Sequence, residues 1–311
     1  MNFRINVNIP NYPFQISHQS ALLNVGSCFT ESIGTKFSNV GFNTRINPFG
    51  ILFNPVSIAN CLDKIASNTR YFVEDLIEVN GLFYSFDHHG KVYDASKEKL
   101  LEKINQSIND AHNFLKSADV LIITLGAAWV YTFNETQQIV ANCHKIPNNK
   151  FSKRLLTIDE VVDSLSASIE NIKQLNPNIH LLFTVSPVRH WKDGAHENSL
   201  SKSVLHLSVK SLCEKYNAHY FPAYELVIDE LRDYRFYNED MLHPNDVAIK
   251  YVWQKFKDAF FDENTKTLSD RVEQFRLMEQ HRTLKPNSKE EQLFLEKLKE
   301  EKQAISKLVK L

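Results

Sequence analysis

The chain has 311 residues, 36 Lys and Arg against 37 Asp and Glu, a formal net charge of −1, four cysteines and only eight glycines. Its 43 % hydrophobic and 11 % aromatic content excludes a disordered chain. The balanced charge argues against non-specific electrostatic binding of nucleic acid. No apolar run is long enough for a signal peptide or a membrane span, so we expect a cytoplasmic globular protein without membrane or nucleic-acid partners.

The first part of the chain predicts a strand, two helices and a hairpin. An apolar run at 21–25 and amphipathic sequence from about Phe29 indicate a strand and then a helix. An Asn cap followed by Pro begins a second helix over 54–68. The segment 70–92 alternates aromatic and polar positions around an Asn-Gly pair, which is typical of an inserted β-hairpin.

The rest of the core alternates helices with apolar strands. Helices are predicted at 97–117, from 157 to about 172, at 200–216 and at 245–260, and strands at 118–125, 179–185 and 218–222. Repeated alternation of strand and helix predicts an α/β fold with three layers, in which helices cover both faces of a mostly parallel sheet.

After about Asp262 the sequence becomes charged, glycine-free and helical. A capping box at 288–291 begins a helix to Leu311, along which apolar residues recur at helical spacing. These are Leu295, Leu298, Ile305 and Leu308. Such a stripe indicates either a tail that packs on its own domain or a homodimer helix. We therefore divide the chain into a domain at 1–262 and a helical extension at 263–311.

The residues that follow the first strand have unusual chemistry. Ligands of open α/β sheets bind beyond the carboxyl ends of the strands, where this chain reads Gly26-Ser27-Cys28-Phe29. A thiol at a helix N-terminus is expected to have a lowered pKa and amide hydrogens beside it that can hold an oxyanion. The alternative is that Cys28 is a buried small hydrophobe.

This segment resembles the first block of the SGNH/GDSL hydrolases, with Ser27 at the Asp position and Cys28 at the nucleophile position. The string GSCF, followed by NPFGILFNP, is more closely similar to the GSCFA family, named for this motif. The resemblance implies an SGNH-like five-stranded sheet in flavodoxin-like order. It also implies Cys28 as the nucleophile, with the adjacent Ser27 left open as the alternative.

A second segment, Asp240-Met-Leu-His243-Pro, resembles the last SGNH block. Because Asp240 and His243 are three positions apart on a turn, the carboxylate can accept a hydrogen bond from one ring nitrogen and leave the other facing a nucleophile. A lone DxxH is common by chance. Its combination with the cysteine segment is more specific, and it implies His243 as general base and Asp240 as the residue that orients it.

The middle blocks match less well. Gly50 takes the position of a glycine whose amide helps to bind the oxyanion, but Ala128 stands where the superfamily has an Asn donor. Asn142 is a candidate replacement for that donor, and Arg189 or His190 for binding an anionic or hydroxyl-bearing acceptor. The plainer interpretations are a satisfied turn at Asn142 and a structural loop at Arg189 and His190.

Other ligand classes have weak support in the sequence. No pair among its Cys and His residues has the spacing of a known zinc site, and the glycine patterns of nucleotide-binding loops are absent, so we expect no metal and no cofactor. The residues weighed for a metal are Cys28, Cys143, His144, His190 and His243. The four cysteines are widely spaced, so we expect no disulfide, and His88-His89-Gly90 is most simply a turn.

The sequence therefore predicts an acyl-ester hydrolase or acyltransferase that acts on an O-acylated carbohydrate or a similar small molecule. A Cys–His pair forms thioesters that either hydrolyse or pass the acyl group to an acceptor. The missing donor at Ala128 favours a second hypothesis, a non-hydrolytic binding or scaffold module on the same fold. A redox thiol enzyme is weaker, because no resolving Cys lies within a few residues of Cys28.

Overall fold

The computed structural model describes residues 5–280 and 288–309. The strands are β1 (Ala21–Gly26), β2 (Asn43–Ile46), β3 (Ile77–Val79), β4 (Leu82–Tyr84), β5 (Val120–Leu125), β6 (Trp129–Phe133), β7 (Gln138–Val140), β8 (Phe151–Leu155), β9 (His180–Val185) and β10 (His219–Tyr220). The helices are α1 (Cys28–Asn39), α2 (Pro55–Ala66), α3 (Lys97–Leu115), α4 (Ile158–Leu175), α5 (Ala195–Tyr216), α6 (Ala223–Glu225), α7 (Asp246–Phe260), α8 (Glu263–Gln280) and α9 (Lys289–Ser306).

The central sheet has five parallel strands in the order β2-β1-β5-β9-β10. Numbered by their place in the chain these strands run 2-1-3-4-5, the flavodoxin-like order. The predicted α/β class and the parallel five-stranded sheet are confirmed. The carboxyl ends of β1, β5 and β9 meet at one edge, and the chain segments that follow them form the candidate site.

Helices cover both faces of the sheet. One hydrophobic cluster joins α2, α3, α4 and α5 to the sheet, and the other joins α1, α7, α8 and α9 to its opposite face. Alternate residues of β1 serve the two clusters, Leu23 and Val25 in the first and Leu22 in the second. This alternation produces the three layers that the sequence predicts.

The inserted hairpin is confirmed as β3 and β4, with Asn80 and Gly81 both in the left-handed region that a two-residue turn requires. The sequence analysis missed a second small sheet, the antiparallel order β7-β6-β8. Its strands are short and mostly half-buried. In the sequence, β6 follows β5 so closely that the two form one continuous apolar stretch. Helix α5 begins at Ala195, directly after Gly194, and not at residue 200.

The C-terminal helices share a core with the main domain. Ile305 is fully buried and Leu298 packs against the same cluster as Val272 and Phe275 of α8. Leu295 and Leu308, also in the predicted stripe, are exposed. The stripe thus packs in part on its own domain. Helix α9 ends at Ser306, and residues 310 and 311 of the predicted helix lie outside the described residues.

The division at residue 262 and the homodimer remain predictions. Among the helices that the structure describes, none combines the length and apolar character needed to cross a bilayer.

Candidate active site

The end of β1 touches the end of β5, backbone against backbone, and this contact positions Cys28. Gly26 has φ +146°, and a Cβ atom there would lie 2.2 Å from the carbonyl oxygen of Thr124. The Ser27 amide donates a hydrogen bond to the same oxygen at 3.2 Å. Only glycine fits this close approach. The chain turns directly from it into α1, whose first residue is Cys28.

Cys28 and His243 line the same cavity, which measures about 320 Å³. Ser27, Arg189 and His190, three further residues from the sequence prediction, also line it. Its wall is completed by Phe53, Gly126, Ala127, Ser186, Val188, Trp191, Lys192 and Leu242. The structure therefore brings together residues that follow β1 and β9 with those of the turn before α7.

The thiol of Cys28 is less acidic than the sequence analysis expects. Burial raises its pKa above the ordinary value, while the amides of Phe29 and Cys28 and the charge of Lys202 oppose that rise. The amides at the helix N-terminus do favour the thiolate, as predicted. Their effect is smaller than the desolvation caused by the surrounding protein, so the expected lowering of the thiol pKa is wrong.

Ser27 presents its hydroxyl less openly than Cys28 presents its thiol. Ser27 is 1 % exposed, and its Oγ atom is buried without a hydrogen-bond partner among residues 5–280 and 288–309. Cys28 is half-buried. A nucleophile needs both a substrate path and a base, and Ser27 has no base bound to its hydroxyl in the structure.

Asp240 orients His243 as the sequence predicts. The His243 ring Nδ1 and Asp240 Oδ2 are 2.6 Å apart, and the amides of Leu242 and His243 both donate to Asp240 Oδ1 at 2.9 Å. These hydrogen bonds lower the pKa of Asp240 to about 2. Met241, between them, has a left-handed backbone that closes the turn. Both side chains are 46 % exposed.

The His243 ring and the Cys28 thiol both line the cavity wall. Within the described part of the chain, His243 Nε2 and Cys28 Sγ form no hydrogen bond. The Asp240–His243 pair is therefore formed without substrate, whereas the hydrogen bond between His243 and the Cys28 sulfur is not. Catalytic hydrogen bonds commonly close only when substrate is bound.

The structure does not support the predicted oxyanion role of Gly50. The Gly50 amide donates to the Asn47 carbonyl oxygen at 2.7 Å, and the residue has φ +75° in a turn against His89. Its donor is thus already used. Asn47 Oδ1 in turn accepts from the Gly26 amide at 2.8 Å, and its buried Nδ2 has no partner within the described residues.

Ala128 has no part in the cavity, and α5 supplies groups to this region that the sequence analysis missed. Ala128 is fully buried, and its amide donates to Ser201 Oγ at 2.8 Å. Lys202, which is 3 % exposed, donates from Nζ to the carbonyl oxygens of Gly126 at 2.7 Å and Ser186 at 2.6 Å. Lys202 thereby ties together the segments that follow β5 and β9.

Lys202 is a buried cation without a carboxylate partner in the described residues. Burial lowers its pKa to about 7, with Cys28 acting in the opposite direction. A signal in the sequence could have found it. Lys202 lies three and seven residues before Leu205 and Val209, so helical periodicity places it on the buried face of α5.

Asn142 lies in a neighbouring cavity of about 310 Å³ and not in the wall of the Cys28 cavity. Its Oδ1 accepts from the His144 amide at 2.9 Å, the turn that the plainer interpretation expects. The structure therefore does not place Asn142 as the replacement oxyanion donor. The two cavities share Phe53, Ala127, His190 and Lys192.

The loop after β9 is anchored at two points. The His190 amide donates to Asn198 Oδ1 of α5 at 2.9 Å, and the Arg189 amide approaches the Leu242 carbonyl oxygen at 3.5 Å. Burial lowers the pKa of His190, while the nearby Asp193 opposes it. The loop thus connects α5 to the turn that carries His243.

His88 and His144, which the sequence analysis also considered, are held inside the fold. His88 is buried and stacks on Phe49 with ring centroids 4.2 Å apart, and burial lowers its pKa to about 3. His144 Nε2 lies 2.9 Å from the Ser85 carbonyl oxygen. All four cysteines are free, and no three His, Cys, Asp or Glu residues are grouped as metal ligands in the part of the chain that the structure describes.

No curated protein matches the chain. Among solved structures, the acetyl xylan esterase Est2A from the rumen bacterium Butyrivibrio proteoclasticus is similar, with 11 % sequence identity and a TM-score of 0.30. The match covers 81 % of this chain and 64 % of the esterase chain. The model of the GSCFA family matches residues 21–256, from the first residue of β1 into α7. This span includes both the Cys28 segment and the Asp240–His243 turn, and the chain belongs to the GSCFA family.

Proposed function

We propose that this GSCFA protein is an acyl-ester hydrolase or acyltransferase with Cys28 as its nucleophile. The observation that carries the proposal is the placement of Cys28 and the Asp240-oriented His243 in one cavity at the carboxyl edge of the sheet. A cavity of about 320 Å³ suits a small molecule, and an O-acylated carbohydrate or a compound of similar size is the proposed substrate.

The reaction begins when the His243 ring approaches the thiol and accepts its proton through Nε2. Sγ then forms a bond to the ester carbonyl carbon, and the carbonyl electron pair moves to oxygen. The amides of Cys28 and Phe29, at the N-terminus of α1, hold this oxyanion. When the electron pair returns, the C–O bond breaks and His243 gives its proton to the leaving alkoxide. Water or an acceptor hydroxyl then attacks the thioester carbon and loses its proton to His243. The C–S bond breaks, the carboxylic acid or the new ester leaves, and His243 returns the proton to Sγ.

Lys202 is the positioning residue of this mechanism. Its charge favours the thiolate of Cys28, and its two hydrogen bonds fix the segments after β5 and β9 that form the cavity floor. Cys28 is favoured over Ser27 because the Ser27 hydroxyl is buried without a base.

Hydrolysis of 4-nitrophenyl acetate by the full chain tests the proposal. We expect Cys28→Ala to lose more than about a thousandfold in kcat/KM. Cys213→Ala is the matched control, since Cys213 lies on α5 and lines neither cavity. Turnover that survives in Cys28→Ala and is lost in Ser27→Ala would identify Ser27 as the nucleophile. Turnover that survives in both variants would overturn the proposal.

A binding module without catalysis is the second candidate function. Three observations favour it: the raised pKa of the Cys28 thiol, the lack of a hydrogen bond between that thiol and His243 in the described residues, and an alanine at position 128 where a side-chain donor is expected. The loss of one oxyanion donor costs other enzymes about 2.7–4 kcal/mol in barrier height.

The alkylation rate of Cys28 distinguishes the two candidates. We would follow iodoacetamide labelling of the Cys28 peptide by mass spectrometry, in wild type, Lys202→Met and Lys257→Met. The enzyme requires labelling near neutral pH that is faster than in the denatured chain and about tenfold slower in Lys202→Met alone. Labelling no faster than in the denatured chain, without a burst on 4-nitrophenyl acetate, would favour the binding module.

A further inference from the structure

Two cations in the loop after β9 have no counter-charge. Arg189 and Lys192 both line the Cys28 cavity, and neither side chain forms an ion pair or a hydrogen bond within residues 5–280 and 288–309. The Arg189 guanidinium lies over the Trp191 ring at 4.5 Å, and Lys192 Nζ lies 5.8 Å from the centre of the Tyr131 ring. Contacts of this kind orient a cation but leave its charge largely unneutralised.

The neighbouring charges contrast with this pair. Asp193 is the acidic residue of the same loop. It forms an ion pair with Lys153 of β8, and its Oδ2 lies 3.5 Å from His190 Nε2. Neither cavity has an Asp or Glu in its wall. A concave surface with one sign of charge concentrates the field and attracts a ligand of the opposite sign.

The two cavities meet at these cations. Lys192 lines both of them, while Arg189 lines the one that contains Cys28. The second cavity offers the aromatic rings of Trp129 and Tyr131 together with the amides of Asn142 and Asn148. A ligand whose ester carbonyl lies at Cys28 can therefore place a charged group at the boundary and its body in the second cavity.

We propose that the ligand is a small molecule carrying an oxyanion, a carboxylate or a phosphate, which Arg189 and Lys192 bind, while its uncharged body occupies the cavity lined by Trp129 and Tyr131. The guanidinium plane of Arg189 matches either oxyanion through two parallel hydrogen bonds, and Lys192 supplies a point charge. As a prediction of the substrate's chemistry, this inference rests on the proposed function. As a prediction of an anion-binding site, it does not depend on ester turnover.

The test is ligand binding followed by tryptophan fluorescence, because two of the three tryptophans line these cavities and the third, Trp253, is buried in the core. The probes are D-glucuronate, D-glucose 1-phosphate and D-glucose. We expect both anions to bind at least about tenfold more tightly than glucose at low salt, and more weakly at about 0.15 M salt. The tighter of the two anions identifies the oxyanion as carboxylate or phosphate.

A double variant with a matched control separates a site from general charge attraction. Arg189→Gln with Lys192→Gln is expected to weaken anion binding by at least about tenfold. Lys150→Gln with Arg154→Gln removes the same charge from residues that already form ion pairs, with Glu135 and Glu160, and lie outside both cavities. This control is expected to bind the anions as wild type does.

The inference is overturned if the anions bind no better than glucose, or if the control loses as much affinity as the double variant. Its failure is distinct from failure of the proposed function, which is measured with a neutral ester and Cys28→Ala. Anion binding without ester turnover would support the anion-binding site and contradict the proposed enzymatic activity.

Discussion

Two lysines of this chain are almost equally buried, yet they have opposite surroundings. Lys257 of α7 is 2 % exposed, and its ammonium group lies 2.6 Å from Asp270 and 3.5 Å from Glu273 of α8. Lys202 is 3 % exposed and donates only to carbonyl oxygens. A buried charge with carboxylate partners is part of the architecture. A buried charge without them is maintained at a cost in folding stability, which is typical of a functional site.

The same difference separates the regions around the two lysines. Where α7, α8 and α9 meet, charged side chains pair with each other, as Arg271 does with Glu301 and Arg276 with Glu279. At the carboxyl edge of the sheet, Arg189, Lys192 and Lys202 have no carboxylate partners in the described structure, and the Ser27 hydroxyl has no hydrogen bond. We expect substitutions in the first region to change stability and substitutions in the second to change chemistry.

The largest effect is expected at His243. His243→Gln removes the proposed general base and should lower kcat/KM for 4-nitrophenyl acetate by about 10²–10⁴-fold. Because the side chain is half-exposed and its ring bonds only to Asp240, the urea midpoint should remain near that of wild type. Unchanged turnover in a folded variant would contradict the role of His243.

A stability effect of comparable free energy is expected at Ile305. Ile305→Ala removes a fully buried side chain from the cluster that joins α9 to α8 and should lower the free energy of unfolding by about 2–5 kcal/mol. Urea unfolding measures the change. The labelling rate of Cys28 in the folded protein is the control. If that rate changed as much as in Lys202→Met, the two regions would not be independent.

A smaller and pH-dependent effect is expected from Lys202. Its folded-state pKa of about 7 lies below that of an unfolded lysine, so between these values the unfolded chain binds one more proton. The contribution of Lys202 to stability therefore rises with pH above about 7, by up to about 1.4 kcal/mol per pH unit. The difference in unfolding free energy between wild type and Lys202→Met, measured at several pH values from 7 to 9, should shift in favour of wild type. A constant difference would show that Lys202 does not change its protonation on folding.

The smallest effect on stability is expected on the outer face of α9. Leu295→Gln with Leu308→Gln replaces two exposed side chains and should change the free energy of unfolding by less than about 0.5 kcal/mol each. If the helix forms a homodimer, as the sequence suggested, the same variant should halve the mass measured by sedimentation. If the mass of the variant equals that of wild type, the exposed leucines have no role in assembly.

Local sequence predicted the fold class and the hydrogen-bonded Asp240–His243 pair. Helix caps, apolar strands and the Asn80-Gly81 turn are short-range signals, and the structure confirms them. The Asp240–His243 pair was predictable for the same reason, since both residues lie on one turn. The sheet formed by β6, β7 and β8 was not, because its short strands acquire their pairing from contacts that the sequence pattern does not encode.

The missed parts of the site depend on tertiary structure. The sign of the Cys28 pKa shift is set by burial in a cavity wall built from the segments that follow β5 and β9, and this burial outweighs the local effect of the helix N-terminus. Gly50 matches a motif position, but the partner of its amide is determined by the turn from Asn47. Lys202 belongs to a polar helix, and it is buried because α5 packs on the sheet. Its spacing from Leu205 and Val209 was the one local clue.

The exposure of the Asp240–His243 pair has a consequence for the fate of the acyl group. With 46 % of each side chain in solvent, a proton held by the imidazole can exchange directly with bulk water, without a relay of buried groups. The same opening admits water to the thioester. Under the proposed mechanism, partition between hydrolysis and transfer is then a competition between bulk water and whatever hydroxyl compound occupies the second cavity, and acceptor concentration sets the product.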